Sequence, residues 1–383
     1  MEQTDVVVIG AGVAGLAAAR ELWAKDHGVL VIEARDRIGG RILTHTETGV
    51  PMPIELGAEF VHGRAPETRR LLREASLVAW DIDGDSWQAR RGRLTSRNTR
   101  RTIDRVLRLI DTDRPDESLA AFLARRPGGR RLARARVATR QFVQGFHAAD
   151  PDDVSAHSLA PAGSARPSEG VSRSARIGRG YARLAEWLAR ELAGEIRLRT
   201  TAWELAWEPG RVELTVAKAG RSSRLEARAA VVTVPLGTLK APPGGPGSLP
   251  LRPEPPRIRQ AVDRLAMGSA LRITFRFREL PWMTLPRRRA DGSLDRLSFL
   301  RTETGPFRVW WTAYPAEFPL VVAWSGGPAA TLARGDPGEV ADRALRGLAR
   351  DLGTSQGRLD SLVEGYWTHD WDGDPLASGA YAY

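Results

Sequence analysis

Cysteine is absent from this 383-residue chain, which excludes disulfides, thiolate metal sites and a thiol nucleophile. Histidine is sparse: His27, His45, His62, His147, His157 and His369 are scattered with no HExxH-type spacing. No GxSxG elbow occurs either, so neither a metal enzyme nor a serine hydrolase is indicated. Lysine occurs only as Lys25, Lys218 and Lys240, so arginine supplies nearly all of the 57 basic residues and the net charge of +11. The densest run, RRPGGRRLARARVATRQF from Arg125, has no interleaved aromatic residue until its end. It reads as a solvated helix face rather than a nucleic-acid stripe. No apolar run reaches the roughly 18 residues of a membrane span, and the first strand starts too early to leave room for a signal peptide. The expectation is a soluble, cytoplasmic protein with neither a nucleic-acid nor a membrane partner.

The stretch DVVVIGAGVAGLAAAREL, from Asp5, carries the strongest signal. Val6 to Ile9 form an apolar run typical of a strand buried on both faces. Gly10, Gly12, Ala14 and Gly15 then lead into a helix-forming sequence. In a dinucleotide-binding turn Gly10 permits the bend, Gly12 lets backbone approach a pyrophosphate, and Gly15 packs helix on strand. The helix N-terminus favours the phosphate charge. A second apolar run, GVLVIEA, ends in Glu33, eighteen residues beyond Gly15, where a carboxylate takes ribose hydroxyls and repels a 2'-phosphate. The alternative is a glycine-rich turn of some other α/β protein with Glu33 as a strand-end charge; the joint context argues against it.

At 383 residues, 42% of them apolar, the chain has enough for two cores. Residues 1–65 read as strand, helix, strand and glycine-punctuated loop, the first part of a nucleotide-binding domain. Residues 66–175 read as mainly helical, from periodic apolar positions in TRRLLREASLVAW, IDRVLRLI, ESLAAFLARR and VATRQFVQGF. A polar loop, APAGSARPSEGVSRSARIGRG, leads into the amphipathic YARLAEWLARELAG. Alternating strands and the apolar AAVVTVPLGTLK then return the chain to the first sheet, so that 176–240 form the second nucleotide-binding part. Residues 241–357 begin with a Pro/Gly-rich crossover and continue as an antiparallel sheet in LRITFRF, FRVWWTAY and LVVAWSG, followed by a helix. Residues 358–383 form a third nucleotide-binding part. The fold class expected is α/β, a discontinuous Rossmann-like domain interleaved with an α+β substrate domain.

Five stretches in order resemble the flavin-dependent amine oxidase family: VIEARDRIGGRILT, ELGAEFVHG, VVTVPLGTLK, MGSALRITFRF and WDGDPLASGAYAY. The resemblance runs over nearly the whole chain, and its best piece is Gly39-Gly40-Arg41. It implies FAD as the dinucleotide, discourages a nicotinamide coenzyme, and implies that Glu33, Ala34 and Arg35 contact the adenosine. By the same resemblance Gly40 and Arg41 meet the pyrophosphate, Gly57, Ala58, Glu59 and Phe60 the flavin side, and Ala202 the adenine through its backbone. Ala380 stands where some relatives carry a flavin-linking cysteine, so the FAD is expected to be noncovalent. Tyr381 matches a cage tyrosine and His62 a histidine at the substrate entrance; the plain readings are a core aromatic and an ordinary loop residue. The activity implied is oxidation of a primary or secondary amine to an imine by hydride transfer to flavin N5, with O2 reduced to H2O2. The partners implied are a small-molecule amine and O2, with a homodimer allowed. Alternatives are a flavoprotein acting on an amino acid or other carbon substrate, and a non-catalytic remnant.

Two departures stand out. Arg272 occupies the place of the family's recurrent lysine, which holds a water against flavin N5, and arginine is longer, planar and never deprotonated. The chain also stops at Tyr383, where relatives continue. A helix N-terminus contributes up to about 2 kcal/mol toward a phosphate, whereas micromolar binding needs about 8. Weak flavin binding and exposed apolar surface are therefore expected of the sequence as it stands.

Overall fold

The computed structural model describes residues 2–96, 100–161, 174–283 and 293–383. Much of the polar loop expected over 160–180 lies outside the described residues.

The opening strand, β1 (Glu2–Ile9), turns at the glycines into α1 (Val13–Trp23) and returns as β2 (Val29–Ile32). Both strands are buried on two faces. Val8, Val29 and Val31 point into the core beneath α1, while Val7, Ile9, Leu30 and Ile32 point into the core on the opposite face. This two-sided burial is why the sequence shows unbroken apolar runs there. β1 lies parallel to β2 on one side and to the strand Arg221–Val232 on the other. That long strand continues antiparallel into Arg211–Lys218 and then Thr201–Glu208. The sheet thus has seven strands, with Ile196–Arg197 and Leu251–Arg252 at its edges. AAVVTVPLGTLK re-enters the first sheet as expected.

A second seven-stranded sheet contains Ala270–Phe277 between Val363–Thr368 and Leu320–Gly326, then Val309–Thr312, Leu297–Arg301 and two strands from the first third of the chain. Alternation along Ala270–Phe277 sends Leu271, Ile273, Phe275 and Phe277 into the largest hydrophobic core. Arg272 and Thr274 occupy the alternate positions and face the other way, yet are only 3% and 2% exposed. A polar pair on a doubly covered strand needs partners.

One expectation is extended and one corrected. Helices supply most of the regular structure of the stretch 66–160, but Asp85–Arg90 and Arg93–Ser96 also form a hairpin that completes the second sheet, and Ala79–Asp81 is a further strand. The apolar residues of the hairpin, Trp87, Ala89 and Leu94, fill the same core as Ile273. The end of the polar loop, Ser174–Ile177, is a fully buried strand between Phe60–His62 and Ala79–Asp81. Its burial rests on the ion pair of Arg176, a signal that hydropathy cannot carry.

Candidate functional site

The glycine turn opens onto a crevice of about 360 Å3 at the ends of β1 and β2. Gly10 has φ +104°, and a Cβ there would lie 2.9 Å from Thr233 Oγ1. A Cβ on Gly15 would lie 1.9 Å from the Gly10 carbonyl oxygen, so helix and strand are as close as backbone allows. A Cβ on Gly12 would meet nothing within 4 Å; its bare backbone faces the crevice. Ala14 lines the same space. The loop carrying Gly39-Gly40-Arg41 docks on the turn through a 2.8 Å bond from Gly39 N–H to the Ala11 carbonyl.

Glu33 is 7% exposed and accepts hydrogen bonds from the backbone N–H groups of Ala11 and Arg35, each at 2.8 Å. An ionised carboxylate accepts about four, so capacity remains toward the crevice. Ala34 and Ala202 line it, the latter beside a bulge in its strand. The Arg35 guanidinium forms a two-pronged pair with Asp374, at 2.8 and 2.9 Å. Arg41 is half-buried and donates to the Ala380 carbonyl; burial lowers its pKa from the ordinary arginine value.

Arg41 and Ala58 also line a second space of about 480 Å3, so the two are contiguous. Its wall is aromatic: Phe60, Phe146, Phe299, Trp311, Trp324 and Tyr381 all face it. Tyr381 Oη donates to the Phe146 carbonyl at 2.6 Å, which fixes the ring, and burial raises the pKa of its phenol. His62 Nδ1 lies 3.1 Å from Ser174 Oγ, with the ring edge-on to Phe146 at 5.3 Å. His147, pushed by burial toward its neutral form, also lines the cavity, as does Ala380. Gly57 packs against the Arg41 carbonyl, where a Cβ would lie at 2.0 Å.

Glu59 and Arg272 form one unit at the edge of the cavity. The Glu59 side chain, 9% exposed, takes Arg176 Nε at 2.6 Å, Arg272 at 2.8 Å and Trp311 Nε1 at 3.0 Å. Burial alone raises a carboxyl pKa, but the two guanidiniums outweigh it and hold Glu59 below the usual range. Arg272 also donates to the Gly57 carbonyl at 3.0 Å. Sequence reasoning missed Arg176, Phe146, Trp311, Trp324 and Asp374. One usable signal was present: in VWWT, consecutive tryptophans on a strand must face opposite ways. Trp310 enters the core, so Trp311 has to face elsewhere.

A family model of flavin containing amine oxidoreductases matches residues 13–84 and 75–383. The chain belongs to this family. Similar curated members include polyamine oxidase 3 of Oryza sativa subsp. japonica and polyamine oxidase 2 of Arabidopsis thaliana. Each is 28% identical over 313 residues, which is 73% of this chain and 60% and 59% of those proteins, respectively. The chain thus spans about 60% of the length of these curated relatives. Similar solved structures include a putrescine oxidase bound to putrescine, with TM-score 0.77 at 22% identity over all of this chain and 88% of that one. Another is cyclohexylamine oxidase from Brevibacterium oxydans, with TM-score 0.74 at 21% identity over 98% and 86%. The fold is the mixed α/β one of FAD-dependent amine oxidases, with a Rossmann-like cofactor domain, as expected from the sequence.

Among the described residues of this family member, no helix is long and apolar enough to cross a membrane. Nor, among the described residues, does any group of three or more acidic or histidine side chains stand where it could hold a metal ion. One titration stands apart. Burial raises the Glu55 carboxyl to about 7, against the pull of hydrogen bonds from Tyr181 N–H and Thr44. The folded state therefore holds this proton more tightly than the unfolded chain does. Stability should be full at pH 4 and fall as pH rises toward 7, by about 3 kcal/mol at 1.36 kcal/mol per pH unit. Urea unfolding at pH 5 and pH 8 checks this. Glu55→Gln should flatten the slope, and an equal slope in the variant would assign it to another group.

Proposed function

We propose that the chain is an FAD-dependent oxidoreductase that oxidises a primary or secondary amine to an imine, with O2 as the final acceptor. The observation that carries this is the meeting of the nucleotide crevice and the aromatic cavity at Arg41 and Ala58. An extended dinucleotide would run from one into the other with its ring against the aromatic wall. The residues present fit such a group. Gly12 leaves room that a Cβ would fill, Glu33 offers acceptors to a ribose, and Arg41 and Gly40 stand where a pyrophosphate would pass. Ala34, Arg35 and Ala202 would flank the adenosine, with Gly57, Ala58, Glu59 and Phe60 toward the ring. Gly10, Ala14 and Gly15 would shape the turn. Residues 1–65, 176–240 and 358–383 would form the cofactor domain, with 66–175 and 241–357 as the substrate domain. With no cysteine and Ala380 at the wall, attachment would be noncovalent. Bound flavin supplies the acceptor for the hydrogen leaving the carbon next to nitrogen.

The protein's own residues would bind, orient and desolvate. Among the described residues lining the cavity, Glu59 is the one carboxylate, and it is already paired with two arginines. This apolar, aromatic wall disfavours an ammonium ion and favours the uncharged, reactive amine. It also offers no counter-charge for a second ammonium. The substrate is therefore a monoamine carrying an apolar group, with Tyr381 and Trp324 as contact surface and His62 at the mouth. Arg272 acts as a positioning cation that holds Glu59 and the Gly57 backbone.

Absorbance of the protein reconstituted with FAD tests the reading. Flavin bands should appear and should bleach anaerobically with an aryl-alkyl monoamine, at a rate roughly tenfold or more above that with putrescine. Faster bleaching by putrescine would overturn the substrate class. Bleaching only by substrates other than amines would move the reading to the alternative flavoprotein chemistry. No flavin bands would leave the non-catalytic remnant.

A further inference from the structure

The helix Ala133–Phe146 turns its last residues toward the aromatic cavity, and His147, which ends it, lines that cavity beside Phe142 and Phe146. The two phenyl rings stack on each other at 5.3 Å, and the imidazole stands perpendicular to both, 5.5 Å from Phe142 and 5.2 Å from Phe146. These contacts restrain the plane of the ring and engage neither nitrogen. Among the described residues, none pairs with either nitrogen of His147, and no carboxylate stands close enough to hold a proton on it.

The other polar rings of the wall are in the opposite position. The indole N–H groups of Trp311, Trp324 and Trp371 donate to Glu59, the Gly145 carbonyl and the Leu56 carbonyl, and the Tyr381 hydroxyl donates to the Phe146 carbonyl. His62 is tied to Ser174. His147 is thus the one polar ring of this wall, among the described residues, whose hydrogen-bonding atoms are left to the cavity. A chain of contacts also sets its place: Arg41, where cavity and crevice meet, holds the Ala380 carbonyl; Tyr381 follows; its hydroxyl reaches Phe146, and His147 is next. Ser86 and Gln141 line the cavity too, but Gln141 is solvent-exposed and Ser86 lies four strands across the sheet from Arg272.

An imidazole left unpaired against apolar rings costs free energy until something in the cavity pairs with it. A neutral imidazole carries one donor and one acceptor nitrogen, and with neither claimed by the protein its tautomer can follow the ligand. The role available to it is set by magnitudes. An alkylammonium resembles lysine, near 10.4, and imidazole ordinarily titrates near 6.5. Moving a proton from the one to the other is uphill by about four pH units, and burial of His147 makes it steeper. The ring therefore accepts a hydrogen bond, not the proton.

We propose that His147 receives the reacting amino group of the substrate, one ring nitrogen accepting a hydrogen bond from the amine N–H. This inference rests on the reading of the protein as an amine oxidase and names the residue that orients its substrate. The bond uses the amine's hydrogen and leaves the nitrogen lone pair free. It also sets a rule of selection: an amine with an N–H is held, and a tertiary amine of the same shape is not.

Benzylamine and N,N-dimethylbenzylamine test this, with His147→Phe keeping a ring in place and removing the acceptor. In anaerobic flavin bleaching by the FAD-loaded protein, the half-saturating concentration of benzylamine should rise roughly three- to tenfold in the variant, the worth of one hydrogen bond. That of the dimethyl compound should not change. His147→Gln, which restores an acceptor, should recover part of the loss with benzylamine alone. Equal losses for both amines would make His147 a matter of shape, and an unchanged value for benzylamine would remove the contact; either overturns the proposal. A second readout needs neither turnover nor a folded variant of one kind. With 15N-labelled histidine, benzylamine should shift the resonance of the unprotonated nitrogen of His147, identified as the signal missing from whichever of the two variants folds, and the dimethyl compound should not. No shift, or equal shifts with both amines, also overturns the assignment. If no amine bleaches the flavin of the parent, the oxidase reading fails separately, and the contact is judged on the nitrogen resonance alone.

Discussion

Glu59→Leu should lower the unfolding free energy by about 3–5 kcal/mol, measured by urea denaturation at neutral pH. The carboxylate sits between Arg176 and Arg272, whose side chains are 9% and 4% exposed. Removing it leaves two guanidiniums in a dry region with no counter-charge. Arg176 keeps two backbone carbonyls, those of Thr312 and Tyr314. Among the described residues Arg272 keeps the Gly57 carbonyl alone, and its Nε has no partner. Carbonyl dipoles compensate a buried cation only in part. Arg272→Met placed on top of Glu59→Leu should therefore recover part of the loss, since it removes the stranded charge. A loss below about 1 kcal/mol in the single variant would show a surface-like pair instead.

The second large effect separates folding from ligand binding at two glycines three residues apart. Gly15→Ala places a methyl group 1.9 Å from the Gly10 carbonyl oxygen. Backbone must move, and overpacking of this kind costs about 1–3 kcal/mol or more. Because the displaced atom belongs to the turn itself, FAD affinity should fall with stability. Gly12→Ala has the opposite character. Its methyl meets no protein atom within 4 Å, so the thermal midpoint without cofactor should stay within a degree or two of the parent. The methyl projects into the crevice, and FAD affinity should still drop by roughly tenfold, about 1.4 kcal/mol. Fluorescence titration with FAD, beside a melting curve of each variant without cofactor, distinguishes the two. Equal affinities for parent and Gly12→Ala would remove the pyrophosphate from that position.

The parts of the fold that could be read in the sequence are those where local pattern and tertiary role coincide. The run Val6–Ile9, the glycine spacing and Glu33 lie within one βαβ unit, so their relation is set by a short stretch of chain. Other features depend on distant partners. Nothing near Arg272 announces Glu59, which is 213 residues away. Nothing near Ser174–Ile177 distinguishes a buried strand from the polar loop leading into it, because the pairing that buries Arg176 comes from Glu59. The hairpin 85–96 was obscured for another reason. Charged residues stand at three of its four strand ends, Asp85, Arg90 and Arg93, and the core it fills is built mostly by residues more than 170 positions later. The aromatic wall was hidden by convergence: Trp311, Trp324 and Phe146 each look like ordinary core residues in their own segments. Only the packing of the helix Ala133–Phe146 on the second sheet brings them around one space.

The Arg35–Asp374 pair joins positions 339 residues apart. Asp374 lies 3.1 Å from His369 and caps the turn that precedes Tyr381. One ionic clamp therefore fastens the wall of the nucleotide crevice to the strand that presents the cavity tyrosine. Energetic coupling between two such places is reciprocal. A molecule that orders the crevice must also draw the far wall of the aromatic space into register, and a substrate that settles that wall must tighten the grip on the nucleotide. Neither end of the elongated site is free to be tuned by itself.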